Sequence, residues 1–573
     1  MDSNKSAFQE FIYGSAEQYI HTVVLIDDRI YEPKGQIATT ATKPPTRNRK
    51  LALGSATTAS EKQKKTPEES EVPELPDEVS FHDVQNSFAK KRIVCSLYQP
   101  KKTASFSERS EVYSLCASAD VVVVDWDLHG DPGTKATELV GNLVSHSIKD
   151  IPHQLRLILV YTMEVNLGDI ANTLFEDLSR RLGEGEVDVN RETEGCVIKT
   201  SNARVVVLGK RTDTPLIQYR DYWVPEKELA KRTIREFSHL ASGLLQAIVL
   251  RGMAHIRDNN RRILTRFHEG LDTAFLTHRA LLLPDESFGQ IVPLLTDELR
   301  AVLEDTLGER PLGDRAATEN IVTDWCENSW KPFDNPPLKI GEGADALVLA
   351  KNILCNGPAL EDDYLKFRGS NISGLIEGIE GGGPRWKESS KDKLLNLAKY
   401  LSGDRVDSSV HEKLSSLMSQ RIAYDNTDKS LHLGVILKET SGDQRYMLCL
   451  QPVCDSVRMA GKPRAFIFCF MEIPAPDKRF THVVLDLNDN PIKLYFKPKV
   501  SKIYVAIFSA ESDAVCAQRD ADGRFLFNDN DKKQYEWIAE LKTEHAQRAA
   551  EEFGRVLSRV GLTESEWLRL KAK

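Results

Sequence analysis

At 573 residues the chain is longer than one hydrophobic core usually organises, and roughly 150 residues per domain implies three or four units. Apolar residues make up 41% and charged residues 28%, ordinary for a globular protein, while the net charge of −9 argues against a surface dominated by nucleic-acid binding. Nine cysteines without CxxC spacing suggest neither a disulfide framework nor a zinc site; no apolar run approaches the roughly 18 residues of a membrane span, and the N-terminus lacks signal-peptide regions, so a cytoplasmic protein is expected.

Phe8, Phe11, Ile12 and Tyr19 predict a short helix ahead of a first strand, Val23 to Ile26, which runs straight into Asp27 and Asp28. Residues 34–77 are dominated by Thr, Ala, Ser, Pro, Lys and Glu, too poor in apolar groups to offset ordering entropy, and read as a disordered insertion. Helical spacing returns at Phe81, Val84 and Phe88, followed by a strand from Arg92 to Tyr98 and a short helix near Ser107 to Ala117. Val121 to Val124 are four consecutive valines ending in Asp125, the pattern of a fully buried strand whose last residue emerges at the mouth of a sheet. Ala136, Leu139, Val140, Leu143, Val144 and Ile148 then form a helical stripe. The strand Leu157 to Tyr161 runs into Thr162, Ile170, Leu174 and Leu178 mark another helix, and Val197 to Val207 reads as a hairpin whose second arm is a fifth strand leading to Lys210. Strands alternating with helices predict a doubly wound (βα)5 parallel sheet over residues 1–222.

Pro225 suits the first turn of a helix whose buried face, Ile234, Phe237, Ala241, Leu244, Leu245 and Ile248, continues to about Phe267. Residues 223–425 read as a helical middle region, with helices at Glu342 to Leu354 and Lys391 to Met418. The glycine-rich run Gly378 to Pro384 lacks the Lys-Ser/Thr ending of a phosphate-binding loop and reads as a turn. Residues 426–573 predict a mostly antiparallel α+β domain, with strands at Leu431 to Leu437, Tyr446 to Val453, Ala465 to Phe470, Thr481 to Leu487, Ile492 to Phe496 and Ile503 to Phe508, closed by a helix from Glu536 to Val560. Cys454 after a buried strand invites a nucleophile reading, but no nearby histidine activates it and a structural turn is preferred.

Carboxyl ends of parallel strands are where open α/β folds place chemistry, and here they would carry an acid pair, an acid, a hydroxyl and a lysine. Crowded carboxylates resist joint ionisation unless a cation is present, and Mg2+ with oxygen ligands suits such a site. With the charge of an incoming phosphoryl group neutralised by the metal and Lys210, one carboxylate can attack phosphorus, and Thr162 can hydrogen-bond a phosphoryl oxygen.

On these residues the first 220 or so positions resemble the receiver domains of two-component response regulators. The resemblance implies that Asp125 is the phosphoacceptor and also a Mg2+ ligand, Asp28 a direct Mg2+ ligand, Asp27 a ligand through water, and the main-chain carbonyl of Asp127 a further ligand. It makes Thr162 the switch hydroxyl and Lys210 the phosphoryl-binding lysine. Four positions depart from the family: His129 replaces a proline, Met163 a small residue, Arg211 a proline, and Val207 the aromatic switch residue. The implied partner is a sensor histidine kinase, and the implied chemistry is phosphoryl acceptance with at most slow autodephosphorylation. A large divergent receiver with an unassigned tail also resembles the phosphate-sink protein of Detocs-type bacterial antiphage systems, in which a second receiver-bearing effector shares the kinase. Two alternatives stand beside it. Asp125 and Asp127 imitate the acid pair of haloacid-dehalogenase-type phosphohydrolases, although there the motif belongs to the first strand, and the tail could be an unrecognised output domain.

Overall fold

A computed structural model of the chain describes residues 6–30, 81–151, 154–183, 190–191, 195–210, 216–281, 291–309, 315–331, 346–356, 358–361, 364–367, 399–403, 409–422, 429–457, 459, 461–475, 478–486, 489–510 and 514–558. The 34–77 insertion, the Gly378 to Pro384 run and Arg211 lie outside them. Two units emerge: the first takes its residues from 1–267, 297–329 and 351–357, the second from 268–296, 330–350 and 358–573.

The first unit is built on β1 (Thr22–Ile26), β2 (Val94–Tyr98), β3 (Val121–Val124), β4 (Arg156–Thr162), β5 (Asn190–Arg191), β6 (Val197–Lys199) and β7 (Ala203–Gly209), in the order β2-β1-β3-β4-β7-β6-β5. The first five strands of that order are parallel, and β6 and β5 add an antiparallel edge. The four valines of β3 and the aliphatic residues of β4 and β7 are almost fully buried, as a sheet covered on both faces requires. The helices are α1 (Ala7–Tyr19), α2 (Phe81–Ala89), α3 (Glu111–Ala117), α4 (Thr134–Lys149), α5 (Leu167–Leu182), α6 (Leu229–Leu240) and α7 (Leu244–Arg266). Ser6 and Ser110 cap α1 and α3 by accepting from the Gln9 and Tyr113 N–H groups.

The single helix expected from Pro225 to Phe267 is two helices. Ala241 leaves helical geometry and Gly243, in extended geometry, is the N-cap of α7; a Ser-Gly pair offers little helical propensity to bridge the break. The apolar face of α6, with Leu229, Ile234 and Phe237, joins the same core as β1, β3 and β4. The helix assigned from sequence to the middle region therefore packs on the parallel sheet.

After α7 come α8 (Asp272–Ala280), α9 (Ile291–Glu309), α10 (Arg315–Ser329) and α11 (Ala346–Asn356), then a two-stranded ladder of β8 (Pro358–Glu361) and β9 (Tyr364–Phe367) and the helix α12 (Ser409–Ser419). The second unit's large sheet has seven strands: β10 (Val435–Glu439), β11 (Tyr446–Cys449), β12 (Arg464–Met471), β15 (Ile503–Phe508), β16 (Gln518–Arg519), β17 (Phe525–Asn528) and β18 (Gln534–Glu540), ordered β15-β12-β11-β10-β18-β17-β16. Strands β13 (His482–Leu485) and β14 (Pro491–Leu494) form a separate hairpin. Alternation sorts the side chains. Val435, Leu437, Met447 and Phe466 face one core, while Ile436, Leu448 and Cys469 face another that includes Val484 and Leu494.

The closing helix expected from Glu536 begins later, as α13 (Thr543–Leu557), because Gln534–Glu540 is strand β18. A register shift against β10 between Ile436 and Leu437 lets Trp537, Ile538 and Ala539 all be buried, which blurs the alternation that would announce a strand. Cys454 is exposed in a 3-10 turn in which the Ser456 hydroxyl donates to the Val453 carbonyl at 2.8 Å, in keeping with a structural turn.

Candidate functional site: a buried acidic cluster at the strand ends

Register places the reactive groups. Ile26 pairs with Val124 across β1 and β3, so the next residues, Asp27 and Asp125, leave the sheet side by side. Val124 pairs with Val160, and Thr162 with Gly209, which brings Thr162 and Lys210 to the same edge. At this point β1 and β3 are neighbours although β2 intervenes in sequence, the switch point where doubly wound sheets open a crevice.

Carboxylate oxygens of Asp27, Asp28 and Asp125 lie within 4.8 Å of one another, and this is the one such cluster among the described residues. Lys210 Nζ sits 2.8 Å from Asp27 Oδ2 and 2.9 Å from Asp125 Oδ2. Three buried carboxylates facing one ammonium leave an excess of negative charge. Burial pushes the Asp125 carboxyl up to about 7, Asp27 adds to the rise, and Lys210 opposes it. Burial alone would lower the Lys210 ammonium, but Asp125 and Asp27 outweigh it and hold that group above its ordinary value.

The oxygens are not equivalent. Asp27 Oδ1 accepts the Arg29 N–H at 2.8 Å and its Oδ2 is held by Lys210. Asp28 Oδ2 accepts the His129 N–H at 2.8 Å, whereas Asp28 Oδ1 and Asp127 Oδ1 are buried with no hydrogen-bond partner among the described residues. A buried carboxylate oxygen without a partner is strongly disfavoured unless a cation completes it, so the donor set fits a hard divalent ion. Asp127 stands outside the three-carboxylate cluster, its Oδ2 3.4 Å from Arg29 Nη2.

Thr162 is fully buried; its hydroxyl accepts the Glu164 N–H at 3.1 Å and its carbonyl accepts the Lys210 N–H at 2.6 Å. Residues 19–215 match the family model described as a response receiver domain. These residues are a receiver domain. No curated protein and no solved structure matches the chain. The receiver domain supports a response-regulator-like phosphoacceptor, and among the described residues no helix is long and apolar enough to cross a membrane.

The receiver's departures have physical counterparts. His129 adopts a φ of 64°, its Nδ1 is 3.4 Å from Asp28 Oδ2, and its Nε2 faces the Pro100 carbonyl at 2.8 Å, which assigns a proton to that nitrogen. Proline could supply neither the N–H nor the ring contact. Val207 is buried within β7. Sequence reading passed over Gln99, whose side-chain amide donates to the Asp28 carbonyl at 2.6 Å, and Tyr161, whose hydroxyl donates to the Val224 carbonyl at 2.7 Å. Tyr161 directly precedes Thr162, and an aromatic with a polar tip inside an otherwise aliphatic strand was the available signal.

Proposed function

We propose that this protein accepts a phosphoryl group on Asp125 from a sensor histidine kinase and serves as a phosphate sink in a bacterial two-component antiphage system. The observation that carries the first half is the contact of Lys210 with both Asp125 and Asp27 beside the unpartnered Asp28 Oδ1, in a domain of the receiver family. Asp27, Asp28 and the main-chain carbonyl of Asp127 would hold Mg2+, which when bound neutralises charge on the phosphoryl oxygens. An ionised Asp125 oxygen attacks phosphorus, the new P–O bond forms as the P–N bond to the donor imidazole breaks, and that imidazole keeps the electron pair. Lys210 steadies the phosphoryl oxygens and Thr162 hydrogen-bonds one of them. The buried valine at position 207, in place of an aromatic switch, supports storage over ordinary signalling. Acceptor chemistry with at most slow autodephosphorylation is favoured over a phosphohydrolase because the acid pair follows β1 and the acceptor follows β3.

Intact-mass or Phos-tag analysis with acetyl phosphate and Mg2+ is expected to show one labile adduct that Asp125→Asn abolishes. An unchanged adduct in that variant would reject the assignment. For the sink, a phosphorylated protein should show little change in hydrogen exchange over residues 225–573 and no multiple-turnover phosphatase activity. Broad protection changes there would mean an output domain.

A further inference from the structure

In the first unit the 3-10 turn Ile217–Tyr222 and α6 border a cavity of about 890 Å3. Four cationic side chains line it, Arg220, Lys231, Arg232 and Arg235, against two acids, Asp221 and Glu228. On α6, Lys231, Arg235 and His239 recur every fourth residue, so one row of the helix is basic. Arg232 is fixed, with Nε 2.7 Å from the buried Glu236 carboxylate and Nη1 donating to the Asp221 carbonyl at 2.8 Å. The guanidinium groups of Arg220 and Arg235, by contrast, make no ion pair or hydrogen bond among the described residues. A cationic concavity in a chain of net charge −9 is a locus for an anion. Its size falls in the range of about 300–1,000 Å3 typical of small-molecule sites. Phe8, Tyr13 and Trp223 also line it, giving aromatic surface beside the guanidinium groups. Phosphates on arginines with a planar base on an aromatic wall is the pattern a nucleotide satisfies.

The wall of this cavity is also attached to the phosphoacceptor site. The Trp223 ring packs so closely on Gly209 that a Cβ there would lie 2.2 Å from it, and the Val224 N–H donates to the Gly209 carbonyl at 3.0 Å. Gly209 directly precedes Lys210, whose Nζ is 5.7 Å from the centre of the Tyr161 ring, and Tyr161 in turn donates to Val224. We propose that the cavity binds a nucleoside polyphosphate, and that Trp223 and Val224 link its occupancy to the state of Asp125. The linkage rests on the phosphoacceptor reading; the binding does not.

Calorimetric titration of the full-length, unphosphorylated protein with ATP and with pyrophosphate, both without metal, tests the binding. ATP is expected to bind more tightly than pyrophosphate, and Arg220→Ala/Arg235→Ala to weaken both by about tenfold or more with unchanged circular dichroism. Failure of both probes to bind, or equal binding by the double variant, would overturn the site, and pyrophosphate binding as well as ATP would overturn the nucleoside assignment. With Mg2+ held constant, adding beryllofluoride is expected to shift ATP affinity by about threefold or more in the wild type and not in Asp125→Asn. No shift although beryllofluoride binds would overturn the linkage. If beryllofluoride itself does not bind, the phosphoacceptor reading fails while the metal-free titration still decides the cavity.

Discussion

Asp125 carries its own thermodynamic signature. Its ordinary value is 3.8 and burial raises it to about 7, so ionising it is harder in the folded chain than in the unfolded one. The resulting penalty is absent below the unfolded value, grows between the two, and is complete above about 7. In metal-free buffer, Asp125→Asn should therefore melt above the wild type at about pH 8, by on the order of 2 kcal/mol after loss of the Lys210 contact, with the gain vanishing toward about pH 4. Thermal melts showing the same offset at both values would contradict this. The acid pair gives a second prediction. Both Asp27 oxygens already have partners while Asp28 Oδ1 has none, so Asp28→Asn should weaken Mg2+ binding by about tenfold or more and Asp27→Asn by less, as read by calorimetry. Equal affinities in the two variants would reject it. The acids, Thr162 and Lys210 were legible because buried β-runs of known polarity must release their next residue at one sheet edge. The roles of Gln99 and of the His129 ring were not, since a loop side chain's hydrogen bonds depend on tertiary approach rather than on periodicity.

Among elements, β7 and the segment after it behave as one piece because Gly209 has no side chain to hold Trp223 away. Gly209→Ala should cost about 1–3 kcal/mol through overpacking, and the loss should shrink in a Trp223→Ala background, where the added methyl meets space. Additive losses in a double-mutant cycle by urea denaturation would show that the two do not meet. The same contrast between local pattern and tertiary approach explains which elements could be read. β3 and β4 are runs of aliphatic residues with one possible meaning. Strand β18 was missed because its bulge against β10 breaks the two-residue period, and the break between α6 and α7 was missed because the apolar stripe continues across Ser242 and Gly243.

At the scale of the molecule, the receiver core does not stop where the family match does. Leu229, Ile234 and Phe237 of α6 complete it, so a fragment ending at residue 222 should expose that face. Fragments ending at 222 and at 267 and the full chain should melt at successively higher temperatures; a fragment ending at 222 as stable as the longer two would show that α6 is dispensable. The first unit also takes in residues 297–329, and the N-terminal α1 meets α10 through Phe8, Phe11, Ile12, Ile321 and Trp325, with the Phe8 N–H donating to Asp324 at 3.3 Å. On the ribosome that partnership has a schedule. At about 5–20 residues per second, roughly 15 to 60 seconds separate the synthesis of the first helix from that of its partner. Until α10 emerges, the face carrying Phe8, Phe11 and Ile12 has only its α7 contacts with Leu244, Ala247 and Ile248, a period in which chaperone capture competes with premature association between neighbouring chains on one messenger.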